Sequence, residues 1–338
     1  MKNKKSTTSH KAGRSPSHRA PDALWHGTRL GCGQAPHCGM RAILVLTLSI
    51  LSVALLGEDG PATAKLSKTS GWGADRLELG EHIVIANDHN YYGIDYVQWK
   101  ADGKSFPVAQ FWLLEPRMYG GYSRPVMDFF KIAVNGIAES RLQPKKEDVK
   151  LWHEKGSAGC DISMSFDGAR LILRWCMRPD SPLLRGSITM APDSLERVNN
   201  IKLNFTMVIS TLSKGADGQV QWEAVYERQA LSPARLIAQD KNPIALNAED
   251  RYLIFQDSKL DGSGEDKGFG PCYLTFEYSE VVAAKLKMGN TVFAGLEIEL
   301  KPDFKEFRFG LWQQKNMISN SSFLEKFKKN ESAFLLTR

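Results

Sequence analysis

The chain has 338 residues and a formal net charge of +6, with 44 Lys/Arg against 38 Asp/Glu. Residues 1–64 hold eight of those basic residues and three of the acids, which leaves 36 against 35 in residues 65–338. A folded part this close to neutral has no compositional case for nucleic-acid binding, which needs a basic face on the domain itself.

Residues 1–39 are rich in Ser, His, Gly, Lys and Arg and read as a disordered leader. Two readings stand for them: a basic tail, or an upstream stretch that is never translated because the start is Met40. Residues 40–64 read as a signal peptide. Arg41 precedes the apolar run Ala42–Gly57, then Glu58-Asp59-Gly60-Pro61 breaks it, and Ala62-Thr63-Ala64 supplies an A-x-A triplet. The run is about 16 residues, short of the roughly 20 of a spanning helix. Cleavage after Ala64 and export, periplasmic or secreted, is the expectation. The alternative is a membrane tether with Ala42–Gly57 left uncleaved.

Residues 65–338 then read as one β-sandwich domain. His82–Ala86, Ile94–Trp99, Val108–Leu114 and Asp128–Val134 are strand patterns, and Asn135-Gly136 is a hairpin turn. Pro144–Lys150 suggests a short helical turn. Cys160–Phe166 and Ala169–Met177 flank Asp167-Gly168, and that turn sets Met164 opposite Leu171, Ile162 opposite Leu173 and Cys160 opposite Trp175. Cys176 therefore points to the other face, away from Cys160. Leu183–Met190, Val198–Ile209, Val220–Tyr226 and Tyr252–Gln256 follow as strands, with Ser232-Pro233 as a helix start. Cys272–Tyr278, Val281–Met288, Thr291–Leu300 and Phe304–Trp312 complete a set of roughly a dozen. Ser322 and Glu325 form a capping box for one helix through Lys329. The fold class is all-β, a two-layer antiparallel sandwich with one short C-terminal helix.

The segments 160–209 and 251–312, the latter ending in FRFGLW, carry a resemblance. In strand rhythm the chain resembles the galactose-mutarotase-like and polysaccharide-lyase-associated β-supersandwich proteins. That resemblance implies carbohydrate contact on a concave sheet face. It transfers no catalytic residue, because no position matches the family's carboxylate base or histidine acids.

Two loops carry the binding expectation. DHNYYGIDYVQW offers Tyr91, Tyr92, Asp95 and Trp99, and the stretch 117–124 offers Arg117, Tyr119 and Arg124. Sugars take aromatic faces against their C–H surfaces and charged groups on their hydroxyls. Asp88, His89 and His153 are the weak candidates for acid–base chemistry. The alternatives for all of them are core packing and solvated charge. Residues 257–266 are rich in oxygen ligands but lack EF-hand spacing. No CxxC pair or phosphate loop occurs, so no metal and no cofactor is expected. The reading is an exported carbohydrate-binding or structural β-sandwich, with a carbohydrate-active lyase, hydrolase or mutarotase as the alternative.

Overall fold

In chain order the strands are β1 (Thr63–Ser67), β2 (Leu77–Ala86), β3 (Tyr91–Ala101), β4 (Lys104–Glu115), β5 (Val126–Val134), β6 (Ile137–Ala138) and β7 (Val149–Glu154). They continue as β8 (Ser157–Phe166), β9 (Ala169–Met177), β10 (Leu184–Met190), β11 (Ile201–Val208), β12 (Leu212–Lys214), β13 (Val220–Ala224) and β14 (Arg228–Leu231). The last are β15 (Leu236–Ala238), β16 (Ile244–Leu246), β17 (Tyr252–Asp257), β18 (Cys272–Phe276), β19 (Val281–Lys287), β20 (Phe293–Leu300) and β21 (Glu306–Gln313). A helix, α1 (Asn320–Lys329), follows them. The computed structural model describes residues 60–67, 77–101, 104–115, 126–143, 145–167, 169–191, 198–209, 212–214, 220–224, 226–261, 271–289, 293–314 and 318–336.

Two antiparallel sheets form the sandwich. The first runs β1-β2-β3-β4-β5-β11-β20-β19-β16, with β6 also on β5. The second runs β15-β14-β17-β18-β21-β10-β9-β8-β7, and β12 pairs with β13 apart from both. The expected all-β, two-layer architecture is present. The strands are more numerous than the rough dozen expected, because short pieces such as β6, β15 and β16 carry too few residues to show a period.

The inner faces meet on aromatic rings. Phe130 and Phe205 come from the first sheet, Trp175 and Phe309 from the second, with Phe205–Phe309 centroids 5.0 Å apart and Trp175–Phe309 5.2 Å apart. All four rings are buried. Edge-to-face pairs of this kind add to the stabilisation from area burial alone. Phe309 lies across Gly186 on the neighbouring strand, and a Cβ there would collide with its ring.

The expected hairpin register holds. Met164 pairs with Leu171, Ile162 with Leu173 and Cys160 with Trp175. The Asn135-Gly136 turn has φ of 51° and 80°, and Lys155-Gly156, joining β7 to β8, repeats it at 49° and 80°. Both glycines sit in the left-handed region that the turn requires. The 3₁₀ turn Lys146–Asp148 falls within the expected helical stretch.

Two local expectations are corrected. Helix α1 begins at Asn320, not after Ser322: the Ser319 hydroxyl accepts the Ser322 N–H at 3.1 Å, so the cap lies three residues earlier in a serine-rich run. Ser232-Pro233 starts no helix. Leu231 pairs with Leu236, and the Ser232 N–H donates to the Arg235 carbonyl at 2.9 Å, closing a hairpin between β14 and β15.

The A-x-A triplet belongs to the fold. Thr63 to Ser67 pair with Ala86 to His82 along the edge of the first sheet. On its other side β1 reaches the second sheet, where the Ala62 N–H donates to the Gly156 carbonyl at 2.7 Å. Ala62 and Ala64 are buried. Strand β1 thus closes one flank of the sandwich, and small side chains fit between the two edges. Among the described residues no helix is long and apolar enough to cross a membrane.

Candidate functional site

The residues singled out in sequence fall in separate places. Asn87 organises the β2–β3 turn: its Oδ1 accepts the N–H groups of His89 and Asn90 at 2.9 and 2.8 Å. Its Nδ2 donates to the Arg178 and Ser181 carbonyls in the connection between β9 and β10. His89 is exposed on that turn. Asp88, also exposed, accepts the Gly60 N–H at 2.9 Å. His153 on β7 accepts the Ala64 N–H through Nε2 at 3.1 Å. Asp88 therefore fastens the segment that leads into β1, and His153 fastens β1 itself.

The β3 residues alternate between faces. Tyr91 is half-buried. Tyr92 points inward and is fully buried, with its hydroxyl 2.8 Å from the Pro182 carbonyl, and burial pushes that hydroxyl's pKa up. Asp95 lies on the outer face, paired with His82 of β2, and is itself fully buried. Burial pushes the Asp95 carboxyl up, and the hydrogen bond and charge of His82 pull it back without cancelling the rise. Among the described residues Asp95 Oδ2 has no hydrogen-bond partner. Trp112 of β4, opposite Asp95, is also buried. Trp99 pairs with Leu77 and Phe106 in the ladder, and its side chain lies outside the described residues. Arg117, Tyr119 and Arg124 also lie outside them.

His82 escaped the sequence reading. The signal was present: a four-residue turn at 87–90 sets Ala86 opposite Tyr91 and, counting outward, His82 opposite Asp95. A histidine oriented by a carboxylate is the arrangement of a general base. Here both side chains are closed off from solvent rather than set in an open cleft.

A different site stands open on the outer face of the second sheet. Strands β17 and β18 are apolar on both faces because α1 and the 3₁₀ turn Glu331–Phe334 pack over them, with Trp312–Phe323 and Trp312–Phe334 centroids 4.5 Å apart. Beside this cover lies a cavity of about 370 Å³. Its walls are Tyr252, Tyr273, Phe276, Tyr278 and Phe327. Arg251, Thr275, Glu277, Ser279 and Glu331 supply its polar groups. Tyr252 and Tyr278 are half-exposed, while Tyr273, Phe276 and Phe327 are buried behind them. The Tyr278 hydroxyl donates to the Leu246 carbonyl at 2.7 Å, which fixes that ring, and Arg308 holds Glu277 at 3.1 Å. Burial pushes the Tyr252 and Tyr278 hydroxyls up, so both are neutral donors near pH 7.

The loop beneath Tyr278 is held by Asp250, which is fully buried. Burial alone would raise its carboxyl. Hydrogen bonds from Arg235, Ser232 and the Asn247 N–H outweigh that and hold it below the ordinary range. A depressed carboxyl contributes stability above its unfolded pKa of about 4, and that contribution is lost as pH falls through the folded value. Urea unfolding between about pH 3 and 6 is expected to show wild-type stability falling with acid, and Asp250→Asn to flatten that slope while lowering stability at pH 7. An unchanged slope assigns the acid sensitivity elsewhere.

Among the described residues no group of three or more His, Cys, Asp and Glu side chains is placed to hold a metal ion.

No protein-family model matches the chain, and no curated protein matches it in sequence. Among solved structures it is similar to a protein of Klebsiella pneumoniae assigned to the aldose 1-epimerases, at 10% identity and TM-score 0.38, over 82% of this chain and 89% of that one. It is also similar to the family-36 α-galactosidase AgaB of Geobacillus stearothermophilus, at 9% identity and TM-score 0.37, over 75% of this chain. A variant of the α-galactosidase AgaA of the same organism, bound to stachyose, matches 70% of this chain at 10% identity and TM-score 0.37. The matches span 41% of each galactosidase. These likenesses are weak in both sequence and superposition.

Proposed function

We propose that the protein is an exported carbohydrate-binding β-sandwich whose ligand sits in the aromatic cavity beside α1. One observation carries the reading: five aromatic residues line a cavity of about 370 Å³ together with an arginine, two carboxylates, two hydroxyls and the apolar Ala248, Leu335 and Leu336. That volume lies in the range of small-ligand sites. The half-exposed faces of Tyr252 and Tyr278 suit the C–H surface of a pyranose, and Arg251, Glu277 and Glu331 suit its hydroxyls. Export rests on the apolar run Ala42–Gly57. Asp88 and His153 fasten β1 and the segment before it, which favours a structural over a catalytic role at those positions.

A panel of immobilised oligosaccharides tests the reading, followed by titration calorimetry of the best ligand. Tyr252→Ala is expected to weaken binding about tenfold, equivalent to about 1.4 kcal/mol. No binding to any member of the panel, or equal binding by Tyr252→Ala, sinks the proposal.

The buried His82–Asp95 pair favours a second reading, an enzyme acting on a sugar with His82 as its base and Asp95 as the residue that orients it. That reading predicts turnover of a bound glycan that His82→Gln abolishes while affinity is kept. Absence of turnover in the wild type rules it out.

A further inference from the structure

The C-terminal segment divides the outer face of the second sheet. On the far side of Leu336 from the aromatic cavity lies a groove of about 320 Å³. Arg174 and Cys176 of β9, Arg178 just after it, Arg185 and Ser187 of β10 and Arg308 of β21 line it, with Glu306 as the one acid in the lining. The ladder explains the convergence. Ser187 is directly opposite both Arg174 and Arg308, and Arg185 is two residues away on the same face, opposite Cys176.

Like charges at neighbouring positions across a sheet repel, so the fold must hold them. Asp161 grips Arg174 through Nε and Nη2, both at 2.7 Å, over the Trp152 ring. Glu306 and Glu277 grip Arg308 through Nε and Nη1 at 3.0 and 3.1 Å. Among the described residues Arg185 donates only to neutral partners, the Leu335 and Ala333 carbonyls at 2.7 and 3.1 Å, and its buried Nε has none. Burial and the adjacent Arg178 push the Arg185 guanidinium down from its ordinary range, and the smaller opposing pull of Asp180 does not cancel them. Burial pushes the Cys176 thiol up, so it adds no negative charge near pH 7.

Two guanidinium forks are therefore pre-oriented by carboxylates that leave part of each fork uncommitted. A third cation, Arg185, is buried with no carboxylate of the described residues bonded to it. A hydroxyl stands between the first two. This is the donor set for an oxyanion, whose oxygens accept charge-assisted hydrogen bonds from several forks at once.

We propose that this groove binds the anionic group of a ligand, a phosphate, sulfate or carboxylate, between Arg174, Arg178, Ser187 and Arg308. The inference stands apart from the sugar reading of the aromatic cavity. Binding places a negative charge beside Arg178 and Arg185 and offsets the repulsion between them.

Titration calorimetry of the full folded protein tests it with inorganic phosphate, inorganic sulfate, a galacturonic acid trisaccharide and neutral galactotriose, at low and high sodium chloride. At least one of the three anionic probes is expected to bind, more weakly at high salt. Arg174→Gln/Arg178→Gln is expected to bind it at least tenfold more weakly. Which anionic probe binds tells phosphate or sulfate from carboxylate as the source. The proposal is overturned if no anionic probe binds, or if the double variant binds with unchanged affinity. Should the double variant fail to fold, Arg178→Gln alone decides: about threefold weakening supports the site, and unchanged affinity overturns it. Galactotriose binding without anion binding overturns this proposal and leaves the sugar reading in place.

Discussion

Phe309→Ala is expected to lower the unfolding free energy by about 3–5 kcal/mol, the usual cost of emptying a fully buried phenylalanine site. The ring is fully buried, and its centroid lies 5.6 Å from that of Phe130 and 5.9 Å from that of Phe307, in addition to its contacts with Trp175 and Phe205. It joins the two sheets at the centre of the sandwich. The vacated space is not easily refilled, because the residue beneath the ring is Gly186. A paired test follows. Gly186→Ala alone forces a collision with Phe309 and destabilises, whereas in the Phe309→Ala background the same methyl enters the cavity and restores part of the loss. Denaturant melts read both through the midpoint at unchanged slope. A loss below about 1 kcal/mol for Phe309→Ala contradicts the packing described.

A chain beginning at Lys65 is expected to be less stable than one beginning upstream of Gly60, by about 2–4 kcal/mol. It loses the Ala62–Gly156 backbone bond and the first two residues of β1. It also loses the N–H groups that Asp88 and His153 accept. Each such hydrogen bond is worth about 0.5–1.5 kcal/mol, and the two buried alanines add their transfer term. N-terminal sequencing of the protein isolated from its source is expected to place the start before Gly60. A start at Lys65 with undiminished stability contradicts the role given to β1. The A-x-A triplet has a second explanation in this fold: alternating small residues are what a closing strand between two sheet edges requires.

Legibility followed agreement between local signals. The β8–β9 hairpin was readable to the residue because Asp167-Gly168 and the alternation of Phe166, Met164 and Ile162 specify the same register. The start of α1 was missed by one turn because Ser319, Ser321 and Ser322 are all competent caps, and only the Ser319 geometry distinguishes them. Strands β17 and β18 do not alternate, since α1 covers their outer face, and that cover comes from more than 40 residues downstream. The aromatic cavity is therefore not visible as a motif. Tyr252, Tyr278 and Phe327 meet only through long-range packing. Asp95 was legible as a polar residue in an aromatic loop, but its partner His82 required the length of the intervening turn.

A crystal structure of the protein with its best-binding oligosaccharide tests the central claim most directly. The account predicts a sugar ring in the cavity against Tyr252 and Tyr278, with its hydroxyls on Arg251, Glu277 or Glu331. A ligand seated instead on the β3 face around Tyr91 and Trp99, with the cavity beside α1 empty, contradicts it.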